Sequence, residues 1–289
     1  WLVNCLRKTT SHMIQNHHTK ICVKTLGNHR GFFFLRKSLF LTLISLLFFS
    51  CVSSNFPDTD TGNNQPIKVS VLTFNDSKCV VAWVNLNSSD IVIQCYPKQA
   101  GKDFWFEAKR TGTFARESQC FMAVNASPFE KKNFISTKRR TVGIHRSQKI
   151  NLSSPEEKYS AITFSKKDSG YSASIIKNQN EIEIEKSDYA FGGFFTIVQN
   201  GKYVDEYKKI RDARLAIGIK DNSRTLVFLA AEKLTFEECA KLLINLGCTD
   251  AIEMDGGSST EISILGKTYR PCIITRKQGS SFGFRKLAE

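Results

Sequence analysis

Asp255 closes an apolar run, Ala251-Ile252-Glu253-Met254, and opens onto Gly256-Gly257-Ser258-Ser259. A carboxylate in that setting can work as a base or a nucleophile. The two glycines let backbone N–H groups turn toward an oxyanion or a phosphate. Glu253 stands two residues earlier, and on a strand that spacing sends both side chains to one face. Without further context the same Asp-Gly-Gly is equally a tight turn capped by its own aspartate, with Glu253 a solvated strand residue or ion-pair partner.

Three other positions have matching chemistry. Asn125 ends the apolar segment CFMAVN (120–125), just before a turn at Ser127-Pro128-Phe129. Arg214 precedes Leu215, Ala216 and Ile217, which places its guanidinium at the mouth of a sheet, and its planar fork suits two phosphate oxygens at once. Gly192-Gly193 makes a second small-residue bend, or simply a kink between strands. Beyond residue 51 the one histidine is His145, so a multi-histidine zinc site is excluded and a Ser-His-Asp triad would have to use that residue. Carboxylates beside Gly-Gly can also hold Ca²⁺ or Mg²⁺ through oxygen ligands, although the spacing matches no metal loop.

The elements that must position these residues are largely strands. Alternating apolar residues predict strands at 67–73, 80–86, 91–97, 120–125, 159–165, 171–177 and EIEIEK (181–186). Residues 113–118 read as the end of a short helix. Residues 194–204 form a hairpin around Asn200-Gly201, and 214–231 form another that turns at KDNSR. LTFEECAKLLINLG (234–247) is an amphipathic helix with Thr235 and Glu238 as a capping box and Gly247 as its stop. Strand DAIEM then leads into the Asp255 loop. Many hairpins and few helices predict an α+β fold: one domain of mixed or antiparallel sheet over 67–289.

The chain has 289 residues, 41% of them hydrophobic, and a formal net charge of +14. Seven Lys/Arg and no Asp or Glu fall in residues 1–51, which leaves 34 basic and 27 acidic residues, a balance of +7, in the remainder. That balance suits an anionic substrate or an acidic surface. No dense basic stripe interleaved with aromatics is present, so nucleic acid is not an expected partner.

Arg36-Lys37 followed by the apolar Leu39–Phe49 is too short to span a bilayer and has the plan of a signal peptide. Cys51 after Ser50 stands where a lipoprotein signal is cut and lipidated. The expected organisation is therefore an upstream segment plus lipoprotein-type signal peptide (1–51), a flexible linker (52–66) and the domain (67–289). The first thirty residues, which open on Trp, read as upstream translation from a misplaced start. The expected location is the cell envelope, exported and held to the membrane through an N-terminal lipid. Cysteines 79, 95, 120, 239, 248 and 272 remain, open either to disulfide pairing or to burial as thiols.

AVNASPF (123–129), FGGFFTIVQNGK (191–202), RDARLAIGI (211–219), KLTFEECAKLLINLGC (233–248) and DAIEMDGGSST (250–260) occur in the order and spacing of the phosphodiester glycosidase family, which the chain resembles over roughly 67–285. That family includes the lysosomal uncovering enzyme and many bacterial exopolysaccharide-associated proteins. The resemblance implies hydrolysis at the sugar C1–O bond of a sugar-1-phosphodiester, with no required cofactor. It assigns catalytic roles to Asp255, Arg214 and Asn125; Glu253, from its own position, is a candidate second carboxylate or else a solvated strand residue or ion-pair partner. Gly256, Gly257, Ser258, Ser259, Gly193 and Arg276 would hold substrate or phosphate. Ala126-Ser127-Pro128 stands where glycines are usual, Leu215 where threonine is usual and Glu253 where asparagine is common, departures that bear on substrate specificity. The alternative is a non-catalytic lipoprotein that binds an anionic surface glycan.

Overall fold

The computed structural model describes residues 66–99, 105–180, 182–204 and 209–287. The signal peptide, Cys51 and all but the last residue of the linker lie outside the described residues. So does Glu181.

A seven-stranded sheet is built entirely from antiparallel pairs. Its order is Ile67–Phe74, Ser77–Asn85, Thr225–Leu234, Asp212–Lys220, Asp250–Glu253, Phe195–Gln199 and Lys202–Tyr203. The turns behave as their residues predict. Asn200 and Gly201 have φ of 51° and 72°, as a two-residue hairpin of right-handed twist requires. The second hairpin turns through Asp221, Asn222 and Ser223, all at positive φ. Strands Asp212–Lys220 and Thr225–Leu234 are apolar on both faces because both faces of the sheet are covered.

One face carries the helix Phe236–Asn245, which starts on the expected capping box: Glu238 N donates to Thr235 Oγ1 at 3.1 Å, and Thr235 N donates to Glu238 Oε2 at 2.8 Å. Cys239, Ala240 and Leu243 bury that helix against Val81, Ala216, Leu229 and Ala251. The other face meets the main core, where Leu215, Ile217, Phe228 and Ile252 pack with aromatic residues of two further five-stranded sheets. Phe191 and Phe282 stack there at 4.4 Å with their planes 3° apart. One of these sheets holds Met122–Asn125 between Ile262–Ile264 and Ser281–Lys286, and the other holds Tyr189–Gly192. A three-stranded sheet contains Phe106–Glu107, Lys138–Thr141 and Phe129–Lys131. Mostly antiparallel sheet with three α-helices among the described residues is the α+β class expected.

One expected strand is absent. EIEIEK is not a strand; Ile182–Lys186 is a short helix. Alternation would send Ile182 and Ile184 to the same face. As a helix the segment buries Ile184 against Ile144, Ala161, Ile176 and Ala190 and leaves Ile182 exposed. Its C-terminal carbonyls are satisfied by Arg146, which donates to Glu185 O at 2.8 Å and to Ser187 O at 2.9 Å. The six described cysteines are free thiols, five of them buried.

Candidate active site

The Asp255 loop begins where the Asp250–Glu253 strand ends. Glu253 is the last residue of the strand, and Asp255 lies beyond it in the loop, so the two are not successive members of one strand face. Gly257–Ser259 closes the loop as a single 3-10 turn. Gly257 has φ +57°, a left-handed conformation that a side chain would strain.

Asn125 fixes both ends of this loop. Its Nδ2 donates to Asp255 O at 2.6 Å, and its Oδ1 accepts from Glu261 N at 2.9 Å. Asp255 N donates in turn to Ala126 O at 3.2 Å. The residue is fully buried, and its amide is directed at the loop backbone.

Arg276 comes to the same place from the C-terminal side. Its Nε donates to Ser259 Oγ at 2.7 Å, its backbone N donates to Ser258 O at 3.1 Å, and its Nη2 stands 3.8 Å from Asp255 Oδ1. The guanidinium lies over the Phe129 ring at 5.2 Å and remains partly exposed. Sequence reading missed Gln278, which is buried and donates from Nε2 to Ser259 O at 2.7 Å and to Arg276 O at 2.9 Å. It also missed Glu261, whose Oε1 accepts from Gly112 N and Arg270 Nη2, each at 3.0 Å, anchoring the loop's far end to the helix Thr111–Glu117. A glutamate directly after the Ser-Ser-Thr of the loop and a glutamine two residues past Arg276 were the available signals.

Arg214 sits behind the loop. Its Nε donates to Leu234 O at 3.0 Å and its Nη2 to Ile210 O at 2.6 Å, while its guanidinium stacks on Phe236 at 4.0 Å. Nη1 faces Glu253 Oε1 at 3.9 Å, an ion-pair separation too long for a hydrogen bond. Glu253 is fully buried, and its carboxyl is approached by the Leu215 backbone N–H and by Arg214. A Cβ at Gly256 would stand 3.5 Å from Glu253 Oε1, so this carboxyl lies directly against the loop. Gly193 supports it from the other side: a Cβ there would meet Glu253 O at 2.6 Å, and Phe194 N donates to that same oxygen at 2.8 Å.

Burial sets the electrostatics. Desolvation pushes Asp255 up to about 6, with Ser259 and Arg276 pulling it down. Desolvation pushes Glu253 up to about 8, opposed by Arg214. Near neutral pH one carboxyl is therefore mostly ionised and its neighbour mostly protonated, the condition for assigning separate base and acid roles. Among the described residues no three His, Cys, Asp or Glu side chains converge as a metal site. His145 is buried edge-on to Phe191 at 5.2 Å, with burial pushing it down to about 4. It lines a cavity of about 230 Å³ to which none of the Asp255-loop residues contributes.

The family model for phosphodiester glycosidase matches residues 118–285. No curated protein matches the chain. Among solved structures, a hypothetical protein from Synechocystis superimposes with a TM-score of 0.57 at 14% identity; the match covers 75% of this chain and 61%, less than two thirds, of that one. The catalytic domain of zebrafish N-acetylglucosamine-1-phosphodiester alpha-N-acetylglucosaminidase, auto-inhibited by its pro-peptide, gives 0.55 at 15% identity over 82% of this chain and 85% of that one. A candidate exported protein from Burkholderia pseudomallei gives 0.54 at 10% identity over 73% and 74%. At such identities the structural likenesses speak for the fold, whereas the family match spans more than half the chain and takes in Asn125, Arg214 and the Asp255 loop. The chain belongs to the phosphodiester glycosidase family.

Proposed function

We propose that the protein hydrolyses a sugar-1-phosphodiester at the sugar C1–O bond, releasing free sugar and a phosphomonoester. The observation that carries this reading is the buried Asp255 carboxyl, 3.8 Å from the half-exposed Arg276 guanidinium at the head of the Gly256–Ser259 loop, with the buried Glu253 carboxyl against that loop from behind. A phosphomonoester is a weak base and leaves readily, so the main demands are to hold the phosphate, stabilise positive charge on the sugar and activate water. In the reaction a water oxygen bonds to C1, the C1–O pair departs on the phosphate, and the water proton passes to the Asp255 carboxylate. If Asp255 instead attacks C1 itself, water completes the turnover in a second step.

Of the two arginines, Arg276 is the better phosphate partner, together with the Gly256–Ser259 backbone, because it is the exposed one. Arg214 is committed to two carbonyls, Phe236 and Glu253, and serves by fixing Glu253. Asn125 holds the loop in register, and Gly193 holds the strand beneath it. We further infer a domain over 67–289, a lipoprotein-type signal in 1–51 with Cys51 as the lipidated residue, a tether over 52–66 and export to the cell envelope.

Incubation with N-acetylglucosamine-1-phosphodiesters in ¹⁸O-water tests the reaction. Label in the released sugar is expected. Label in phosphate would mean P–O cleavage and would sink the proposal, as would binding of an anionic glycan without turnover of any phosphodiester.

A further inference from the structure

The four most exposed large apolar side chains among the described residues occur as two adjacent pairs: Phe134 (96%) with Ile135 (91%), and Ile273 (103%) with Ile274 (84%). Neither pair is isolated from the rest of the fold. The first forms the tip between strands Phe129–Lys131 and Lys138–Thr141, where a hairpin turn ordinarily carries Gly, Asn, Asp or Ser. Asn133 closes that turn, accepting from Ser136 N at 2.8 Å, and leaves the two apolar residues outward. The second lies in the loop that delivers Arg276. The two loops share a base: Arg276 and Arg139 both lie over the Phe129 ring, at 5.2 and 5.5 Å, and Thr141 Oγ1 donates to Gly279 O at 3.3 Å.

The residues around both tips are cationic. Exposed Lys131, Lys132 and Lys138 flank the first tip, where Arg139 is buried and Arg140 pairs with Glu130 at 2.7 Å, and exposed Arg276 and Lys277 flank the second, where Arg270 pairs with Glu261 at 3.0 Å. A protein-binding patch of this apolar character would be expected to have a mixed polar rim. Bulky apolar tips ringed by Lys and Arg match a bilayer instead: the apolar residues enter the headgroup boundary while the cations meet anionic lipid. We propose that these two loops together dock the protein on an anionic membrane surface. Such docking is independent of any N-terminal lipid and of what Asp255 does to a substrate.

Co-sedimentation of the full chain with vesicles tests this. Binding to phosphatidylcholine containing about one third phosphatidylglycerol should exceed binding to phosphatidylcholine alone by about tenfold and weaken as salt rises. Phe134→Ser/Ile135→Ser and Ile273→Ser/Ile274→Ser should each remove most of that binding with Tm unchanged, because the replaced side chains touch solvent. Lys131→Ser/Lys132→Ser should lower binding to the anionic vesicles alone. Equal binding to both vesicle types, or binding unchanged in the tip variants, would assign membrane contact to the apolar 39–49 segment and overturn the proposal. Absence of vesicle binding would overturn it too, leaving the tips to a protein partner or a second copy.

Discussion

The side-chain amide of Asn125 bridges the two ends of the loop that presents Asp255: it donates to Asp255 O at 2.6 Å and accepts from Glu261 N at 2.9 Å. Both partners are backbone groups, and both hydrogen bonds are buried. Asn125→Ala should therefore cost about 1–3 kcal/mol of stability, the penalty for a buried unsatisfied group, and should lower kcat as the loop loses register. Asn125→Asp cannot donate to the Asp255 carbonyl and should fare no better. Denaturant unfolding together with turnover measurements would check both; a variant with wild-type stability and rate would show that the bridge is dispensable.

Asp255→Asn should reduce phosphodiester turnover by about a thousandfold or more, as removal of an acting carboxylate does, while the folded state persists. Steady-state kinetics with circular dichroism as a control measures this. Full activity in the amide variant would remove Asp255 from the chemistry.

The two carboxyls predict a pH profile with two limbs. Rate should rise through about 6 as Asp255 ionises and fall through about 8 as Glu253 loses its proton. In Glu253→Gln the alkaline limb should move or vanish and the acid limb should remain. A profile with an unchanged alkaline limb would identify Glu253 as a spectator.

Stability should follow the same groups with a definite sign. The folded-state pKa of Glu253 is raised, so the folded protein binds its proton more tightly than the unfolded chain does. That contribution is fully present below the unfolded value near 4.5 and is lost as pH rises toward about 8. Glu253→Gln lacks the titration, so its Tm relative to wild type should climb between acidic and alkaline pH. A difference in Tm that stays flat across this range would contradict the burial argument.

Arg214→Ala should destabilise by about 1–3 kcal/mol, because it leaves the Leu234 and Ile210 carbonyls without their donor and removes the stack on Phe236. Arg214→Lys should recover little, since an ammonium cannot bond both carbonyls and also stack on Phe236. Arg276→Ala should chiefly raise KM and leave Tm nearly unchanged. Thermal melts beside Michaelis–Menten curves separate the two arginines, and equal effects would erase the distinction.

Local signals made 194–260 legible in the sequence. Asn200-Gly201 fixes one hairpin, and Thr235 with Glu238 fixes the start of the helix, each through contacts within a few residues. EIEIEK misled because its alternation imitates a strand, whereas the decision rests with distant residues: the pocket for Ile184 and the capping by Arg146. The site divides in the same way. Asn125, Arg214 and Asp255 were visible as polar residues at the ends of apolar runs. That Arg276 would stand beside Asp255 while Arg214 turned to Glu253 depends on Ser259 and Phe129 in one case and on Leu234 and Phe236 in the other, contacts spread over much of the chain. Gln278 and Glu261 were missed because little in 261–286 has a strong period.

The strand Ser281–Lys286 lies between Met122–Asn125 and Ile91–Tyr96, and it is the last described element to leave a ribosome. Without it, the strand that ends at Asn125 would be an open edge and Phe191 would lack its stacked partner Phe282. The strand that carries Asn125 thus takes one of its two neighbours from the chain's last described element, so the frame beneath the Asp255 loop is complete only when both ends of the domain are in place.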